Sequence, residues 1–142
     1  MIAICLSNKP PILEIEIELA GLPKDLRDVQ QLILNLIQNE DAQVCAVRAA
    51  AIDPSPYDGC LDSLSIRKGN SSIKVSVSAN SLQIEGEPKK LEIFADWFNF
   101  SDDTRSGYHV HFDYFENEKL VDANSNSLVI AVRSSVKYLD TV

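Results

Sequence analysis

The amino-acid sequence predicts an α+β fold: an antiparallel-rich sheet with two helices packed on one of its faces. Seven segments have the apolar alternation or the short apolar run of a β-strand, and two others repeat apolar residues every three or four positions, as amphipathic helices do. The chain has 142 residues, of which 45% are hydrophobic and 24% charged, which is typical of soluble globular proteins. One hydrophobic core suffices at this length, so we expect residues 1–142 to form a single domain.

The first predicted strand carries a row of carboxylates. From Leu13 to Leu19 apolar and acidic residues alternate strictly, so the apolar side chains share one face of the strand. The opposite face holds Glu14, Glu16 and Glu18, which we expect to point towards water. A half-buried strand with an acidic outer row is therefore predicted at this position.

Two amphipathic helices are predicted, one in each half of the chain. The first covers residues 24–38 and the second residues 89–100, and the main apolar stripe of each is expected to be buried. The second helix has another apolar stripe at Ile93, Trp97 and Phe100, so it is either buried on two sides or contacts a partner. The stripes expected in the core are Leu26, Val29, Ile33 and Leu36 in the first helix, and Leu91, Phe94, Ala95 and Phe98 in the second.

The two halves of the chain share an order of elements and a short motif. Each half runs strand, helix, strand, connector and strand, and the segments Asp62–Ile66 and Asn126–Ile130 both read polar-Ser-Leu-x-Ile. We therefore predict duplication of a β-α-β-β unit, with pseudo-repeats at residues 12–68 and 73–134. The alternative is that any α+β chain with amphipathic segments can be halved in this way. The other predicted strands are residues 43–50, 61–67, 73–78, 81–85, 108–115 and 127–133.

Charge and cysteine content narrow the classes of function. The chain has 13 Lys and Arg residues against 21 Asp and Glu, a net charge of −8, and so acidic a surface repels nucleic-acid phosphates but suits a basic protein partner. The sequence has no run of apolar residues long enough for a transmembrane helix, and residues 1–6 lack the positive charge of a signal peptide. The three cysteines form no Cys-x-x-Cys pair and are predicted to be reduced thiols. We therefore expect a cytoplasmic protein that binds neither nucleic acid nor membrane.

One cluster has the composition of a binding or metal site. If residues 108–115 form a strand, His109, His111 and Asp113 lie on one face and the aromatic and aliphatic side chains on the other. Two histidines two positions apart on a strand can chelate a metal ion, and the carboxylate can complete a set of three ligands. The simpler interpretation is a polar row that faces solvent or a partner. We predict no bound metal and no cofactor.

Residues 82–132 contain a series of motifs in a fixed order. A strand at Leu82–Glu87 precedes a helix of the Leu-x-x-Phe-Ala type at Leu91–Ala95. A His-x-His-x-Asp motif at His109–Asp113 follows, and then a strand from Ser125 to Ile130 that ends in Leu-Val-Ile. In these motifs the second half of the chain resembles the immunity protein 32 family of bacterial polymorphic toxin systems. The resemblance implies a short α+β protein that is not an enzyme and that binds and blocks a cognate toxin domain.

Three functions follow from these observations. The leading one is a small acidic binding protein, without enzymatic activity, whose polar face docks on a basic toxin domain. The second is a self-associating structural module, expected as a homodimer, because the helix at residues 89–100 is so broadly apolar. The third is a metal-dependent enzyme that uses the two histidines. The candidate contacts for the leading function are His109, His111, Asp113, Glu14, Glu16 and Glu18.

Overall fold

The computed structural model describes residues 1–7 and 15–134, and these residues form nine strands and two α-helices. The helices are α1 (Pro23–Gln38) and α2 (Pro88–Ala95), and α2 continues into a 3₁₀ turn at Asp96–Phe98. The α+β class predicted from the sequence is confirmed. The strands are β1 (Ala3–Ser7), β2 (Glu16–Gly21), β3 (Val44–Arg48), β4 (Gly59–Leu61), β5 (Ser63–Lys68), β6 (Lys74–Ser78), β7 (Ser81–Gly86), β8 (His109–Phe112) and β9 (Ser127–Val132).

The strands form two sheets, which is one of the two arrangements that a duplicated unit allows, the other being one continuous sheet. The five-stranded sheet has the order β4-β1-β2-β9-β8, and the four-stranded sheet has the order β3-β5-β7-β6. The pairs β2–β9 and β5–β7 are parallel, and the other neighbouring strands are antiparallel. The sheets are therefore mixed but rich in antiparallel pairs, as predicted. The division into two sheets is decided by contacts between distant segments, which the periodicity of a single segment does not record.

Each sheet combines strands from both halves of the chain. Strand β2 directly precedes α1, yet it pairs in parallel with β9, near the end of the described chain. Strand β7 directly precedes α2, and it pairs in parallel with β5 from the first half. Neither half therefore completes a sheet by itself. Duplication of a β-α-β-β unit stays a prediction.

Both helices begin within one residue of their predicted starts, and their main apolar stripes are buried as expected. The second helix was predicted to reach residue 100, but α2 ends at Ala95 and its 3₁₀ continuation at Phe98. Pro23 occupies the first turn of α1, where its missing N–H needs no partner. The Asp25 carboxylate accepts a hydrogen bond from the Leu22 N–H at 3.3 Å, which stabilises the start of this helix. The two helices pack against each other, and α1 also contacts β2 of one sheet and β3 of the other. The helices thus connect the two sheets through one core.

The second apolar stripe of α2 is covered in part by β8. Phe100 is buried and Trp97 is half-buried, with its ring packed edge-on against Phe112 at a centroid distance of 5.1 Å. Ile93 is 52% exposed. Most of this stripe is therefore covered within the chain, and Ile93 is the residue of the stripe that faces solvent.

Four differences from the sequence prediction concern strands. Strand β1 was not predicted, and β4 lies at the end of a predicted loop. Strand β8 ends at Phe112, three residues earlier than expected, because Asp113 begins a turn. Its carboxylate accepts a hydrogen bond from the Glu116 N–H at 3.0 Å, a bond that competes with strand pairing. The predicted strand at residues 13–19 is described only from residue 15, and it extends beyond its predicted end to Gly21.

Candidate functional site

The five-stranded sheet has one apolar and one polar face. Ile17, Leu19 and Ile130 point into the core and are fully buried. The alternate residues of the same strands form the outer face. The register places Glu18 of β2 opposite Val129 of β9, and Val129 opposite His111 of β8. Glu18 and His111, which are far apart in the sequence, thus lie in one row across the sheet on either side of Val129.

An open cleft of about 400 Å³ lies on this outer face. Glu16 and Glu18 line it from β2, and His109, His111 and Asp113 line it from β8 and the turn that follows. Five of the six contact residues predicted from the sequence therefore meet in one cleft, although they come from two distant segments. The sixth predicted contact, Glu14, lies outside the described residues. The remaining lining residues are Ile17, Tyr57, Ser127, Val129 and Arg133.

Glu18 does not face water, and this corrects the prediction from strand alternation. The residue is 7% exposed, and its Oε1 accepts a hydrogen bond from Nη2 of Arg133 at 2.6 Å. The phenol of Tyr57 is hydrogen-bonded to the same carboxylate. The parallel pairing of β2 with β9 brings Arg133 to this position, and the loop that contains Tyr57 covers the strand. Glu16, two residues earlier, is exposed.

Tyr57 forms one wall of the cleft as a neutral hydrogen-bond donor. Burial raises the pKa of Tyr57 to about 12, and the negative charge of Glu18, the hydrogen bond to it and the charge of Glu16 act in the same direction. Arg133 acts in the opposite direction. The phenol therefore keeps its proton at physiological pH.

We expect the phenol of Tyr57 to ionise with a midpoint of about 12. Ultraviolet absorbance is titrated against pH for the wild-type protein and for Tyr57→Phe, and the difference between the two curves gives the ionisation of Tyr57. In Glu18→Gln the midpoint moves down towards the ordinary value of about 10, because the carboxylate that opposes phenolate formation is gone. In the unfolded chain Tyr57 titrates near 10, so its contribution to stability is complete below that pH and is lost as pH rises from about 10 to 12. A midpoint near 10 in the folded wild-type protein would contradict the described environment.

The two histidines lie on the exposed wall of the cleft. Their ring centroids are 5.1 Å apart and the rings are nearly perpendicular. Nδ1 of His109 lies 3.0 Å from the Gly107 carbonyl oxygen, so a proton on this nitrogen makes a hydrogen bond to the backbone. Among residues 1–7 and 15–134, no group of three or more His, Cys, Asp or Glu side chains is arranged to hold a metal ion. The set of two histidines and Asp113 is not formed there, since Asp113 leaves the strand for a turn.

A second depression of about 460 Å³ adjoins the cleft and shares Glu18, Tyr57 and Arg133 with it. Cys5 contributes to its surface and lies opposite Cys60 in the β1–β4 register. Burial, followed by the neighbouring Cys60, raises the pKa of the Cys5 thiol to about 12. A thiol with so high a pKa is a poor nucleophile at neutral pH. The three cysteines of the chain are unpaired thiols, as predicted.

Two residues that close the cleft, Tyr57 and Arg133, were not predicted from the sequence. The alternation of β9 contains a signal for one of them: Arg133 has the same parity as Val129, and the residues between them that point inward are Ile130 and Val132. The predicted strand at residues 127–133 already contained Arg133, and alternation from Val129 places it on the outer face, but nothing in that segment indicates that Glu18 lies beside it. Tyr57 lies in a loop, where no periodicity assigns a direction to its side chain.

No protein-family model matches the chain, no curated protein is significantly similar to it in sequence, and no solved structure matches it significantly. None of the helices in the described part of the chain is long and apolar enough to cross a membrane. The geometry of the cleft is therefore the basis on which a function is assigned.

Proposed function

We propose that the protein is a small acidic binding protein without enzymatic activity, and that it docks the outer face of its five-stranded sheet on a basic protein. The observation that carries this proposal is the cleft in which Glu16, Glu18 and Asp113 lie with one guanidinium, that of Arg133. The excess of carboxylates in the cleft matches the net charge of −8 of the whole chain. A surface of net negative charge speeds the encounter with a basic partner and disfavours binding of acidic proteins.

The carboxylates of the cleft have different roles in this proposal. The charge of Glu18 is neutralised by Arg133 at 2.6 Å, so this pair and the Tyr57 phenol mainly fix the shape of the cleft. Glu16 is exposed and Asp113 is half-buried, and they are the carboxylates that attract a Lys or Arg side chain of the partner. The histidines add polar contact area on the opposite wall. Binding at this face acts by occlusion, because the docked sheet covers the partner's functional surface.

The resemblance to the immunity protein 32 family supports a toxin domain as the basic partner. The His-x-His-x-Asp motif that contributes to the resemblance lies at His109–Asp113, on one wall of the cleft. Members of that family bind a cognate toxin domain and block it. We therefore propose that this protein neutralises a basic toxin domain in the bacterial cytoplasm.

Growth rescue by variants with reversed charges tests the proposal. A basic toxin domain encoded beside the gene for this protein is expressed in a host cell together with the wild-type chain or a variant. We expect the wild-type chain to restore growth and Glu16→Lys/Asp113→Lys to fail, because two cations in the cleft repel the toxin. Glu40→Lys/Glu92→Lys makes the same change in net charge at two exposed positions outside the cleft and is expected to restore growth. Absence of a toxin gene at this locus, or rescue by both variants, would refute the proposal.

A further inference from the structure

Strand β8 has an open edge in the part of the chain that the structure describes. It is the last strand of the five-stranded sheet, and within residues 1–7 and 15–134 it pairs with β9 alone. The Val132 N–H donates to the Tyr108 carbonyl at 2.8 Å, so the Tyr108 carbonyl points towards β9. Hydrogen-bonded residues alternate along an antiparallel ladder, which makes Val110 the next residue bonded to β9. The backbone N–H and C=O groups of His109 and His111 therefore point away from β9, towards the open edge.

A groove of about 710 Å³ lies beside this edge. Its apolar surface comes from Trp97, Phe100, Tyr108 and Val110. The rings of Phe100 and Tyr108 meet edge to face at a centroid distance of 6.0 Å, and Tyr108 is 55% exposed. The groove therefore offers aromatic surface to a ligand directly alongside backbone groups that have no partner within residues 1–7 and 15–134.

The lining of the groove also carries charge of both signs. Asp96 and Arg105 belong to it, together with uncharged polar residues. The groove thus differs from the acidic cleft on the outer face of the same sheet. A ligand for it needs apolar side chains and charges of both signs, rather than an excess of positive charge.

The other sheet edges in the described part of the chain lack this combination. The edge of β6 is covered by a later segment: Ser125 Oγ accepts a hydrogen bond from the Val75 N–H, and the Asn126 N–H donates to the Val75 carbonyl. Strand β4 has three residues, which is too short for a stable new ladder. The depression beside β3 is formed with Met1, Ile2 and α1 and has about half the volume of the groove at β8.

We propose that β8 binds an extended peptide segment of another protein by strand addition. The segment pairs its backbone with His109 and His111, and every second side chain enters the aromatic groove. A segment with apolar residues at alternate positions, and with one acidic and one basic residue, complements the groove and its Arg105 and Asp96. A second copy of this chain carries the same net charge of −8, which opposes its approach, whereas a peptide with balanced charges meets no such repulsion. The proposal is independent of the basic partner proposed for the acidic cleft.

Two substitutions at one position separate backbone pairing from side-chain contact. His111→Pro removes an N–H that points to the open edge and leaves the bonds to β9 intact, and proline is tolerated at such an edge position. His111→Ala removes the imidazole but keeps the N–H. Tyr108→Ser shortens the groove wall at a half-exposed position, and Phe115→Ser removes an aromatic ring that is 82% exposed and outside the groove. Far-UV circular dichroism establishes that each variant is folded.

The probe is a blocked synthetic peptide, acetyl-Glu-Thr-Val-Thr-Phe-Thr-Val-Thr-Lys-amide, together with the version in which Glu and Lys are exchanged. Binding is followed by amide hydrogen exchange of the full chain with NMR detection. We expect the His109 and His111 amides to exchange rapidly in the free protein and at least about tenfold more slowly with one of the two peptides. His111→Pro and Tyr108→Ser should each weaken peptide binding by about tenfold, while His111→Ala and Phe115→Ser bind within about twofold of wild type.

Four results would overturn the proposal. One is the absence of protection by either peptide at millimolar concentration, and another is equal binding by His111→Pro and His111→Ala. Protection of the His109 and His111 amides in the free protein that disappears on dilution would assign the edge to a second copy of the chain. Protection that persists in the dilute free protein would show that the chain covers its own edge.

Discussion

Replacing Phe94 with alanine is expected to lower the free energy of unfolding by about 4 kcal/mol, because the cavity left by a buried aromatic ring cannot be refilled by the neighbouring side chains. Phe94 is 1% exposed. Its ring meets Phe98 edge to face at 5.2 Å and lies 4.7 Å from the ring of Phe112. The contact joins α2 to β8. In β8 the residue before Phe112 is His111, which lines the cleft on the opposite face of the sheet. Urea unfolding followed by circular dichroism measures the loss as a lower midpoint with an unchanged slope.

Phe115→Ala is the matched control for this prediction. It also truncates a phenylalanine to alanine, but at a position that is 82% exposed and lies two residues after the His-x-His-x-Asp motif. Its expected effect is within about 0.5 kcal/mol, as for most surface substitutions. A loss of less than about 1 kcal/mol in Phe94→Ala would mean that the ring cluster between α2 and β8 is not packed as described.

Replacing Arg133 with methionine is expected to cost about 2 kcal/mol at neutral pH, because the nearly buried Glu18 carboxylate loses its cation. The estimate is lower than for a fully buried pair, since the Arg133 side chain is 41% exposed and water can partly replace it. Adding Glu18→Gln should recover about half of the loss, as the carboxylate that needs the cation is then absent. The four free energies of unfolding form a double-mutant cycle that isolates the interaction.

Arg105→Met controls for the loss of a positive charge from the acidic chain. The Arg105 side chain is exposed, so its replacement should change stability by no more than about 0.5 kcal/mol. Equal losses in Arg133→Met and Arg105→Met would show that net charge, and not the pair with Glu18, decides the effect.

Local patterns in the sequence were sufficient to predict the helices and most strands. Helix α1 begins one residue before its predicted start and ends at the predicted residue, because its apolar spacing and Pro23 are signals within one segment. Strands β6 and β7 were predicted as separate segments, with the choice between continuation and pairing left open; they pair antiparallel, and Ala79 and Asn80 between them have the positive φ of a tight hairpin turn. These elements depend on interactions between residues close in sequence.

The cleft could be predicted only in part, because its assembly depends on strand pairing between distant segments. The polarity of Glu16 and His111 marked them as outer-face residues, but nothing within either segment specifies that β2 and β8 flank the same strand, β9. The same long-range pairing brings Arg133 to Glu18 and turns an expected surface carboxylate into a nearly buried one. A pattern of period two assigns a residue to a face of a strand, and it does not state what covers that face.

The most direct test of the proposed docking face is the rate at which the protein associates, at low ionic strength, with the basic toxin domain proposed as its partner. Stopped-flow fluorescence compares the wild-type chain with Glu16→Gln/Asp113→Asn and with Glu40→Gln/Glu92→Gln, which removes the same charge elsewhere. Electrostatic steering by the cleft predicts an association rate about fivefold lower for the first variant and within about twofold of wild type for the second. Equal rates for the two variants would mean that the partner responds to the overall charge of the protein, and that the cleft is not where it docks.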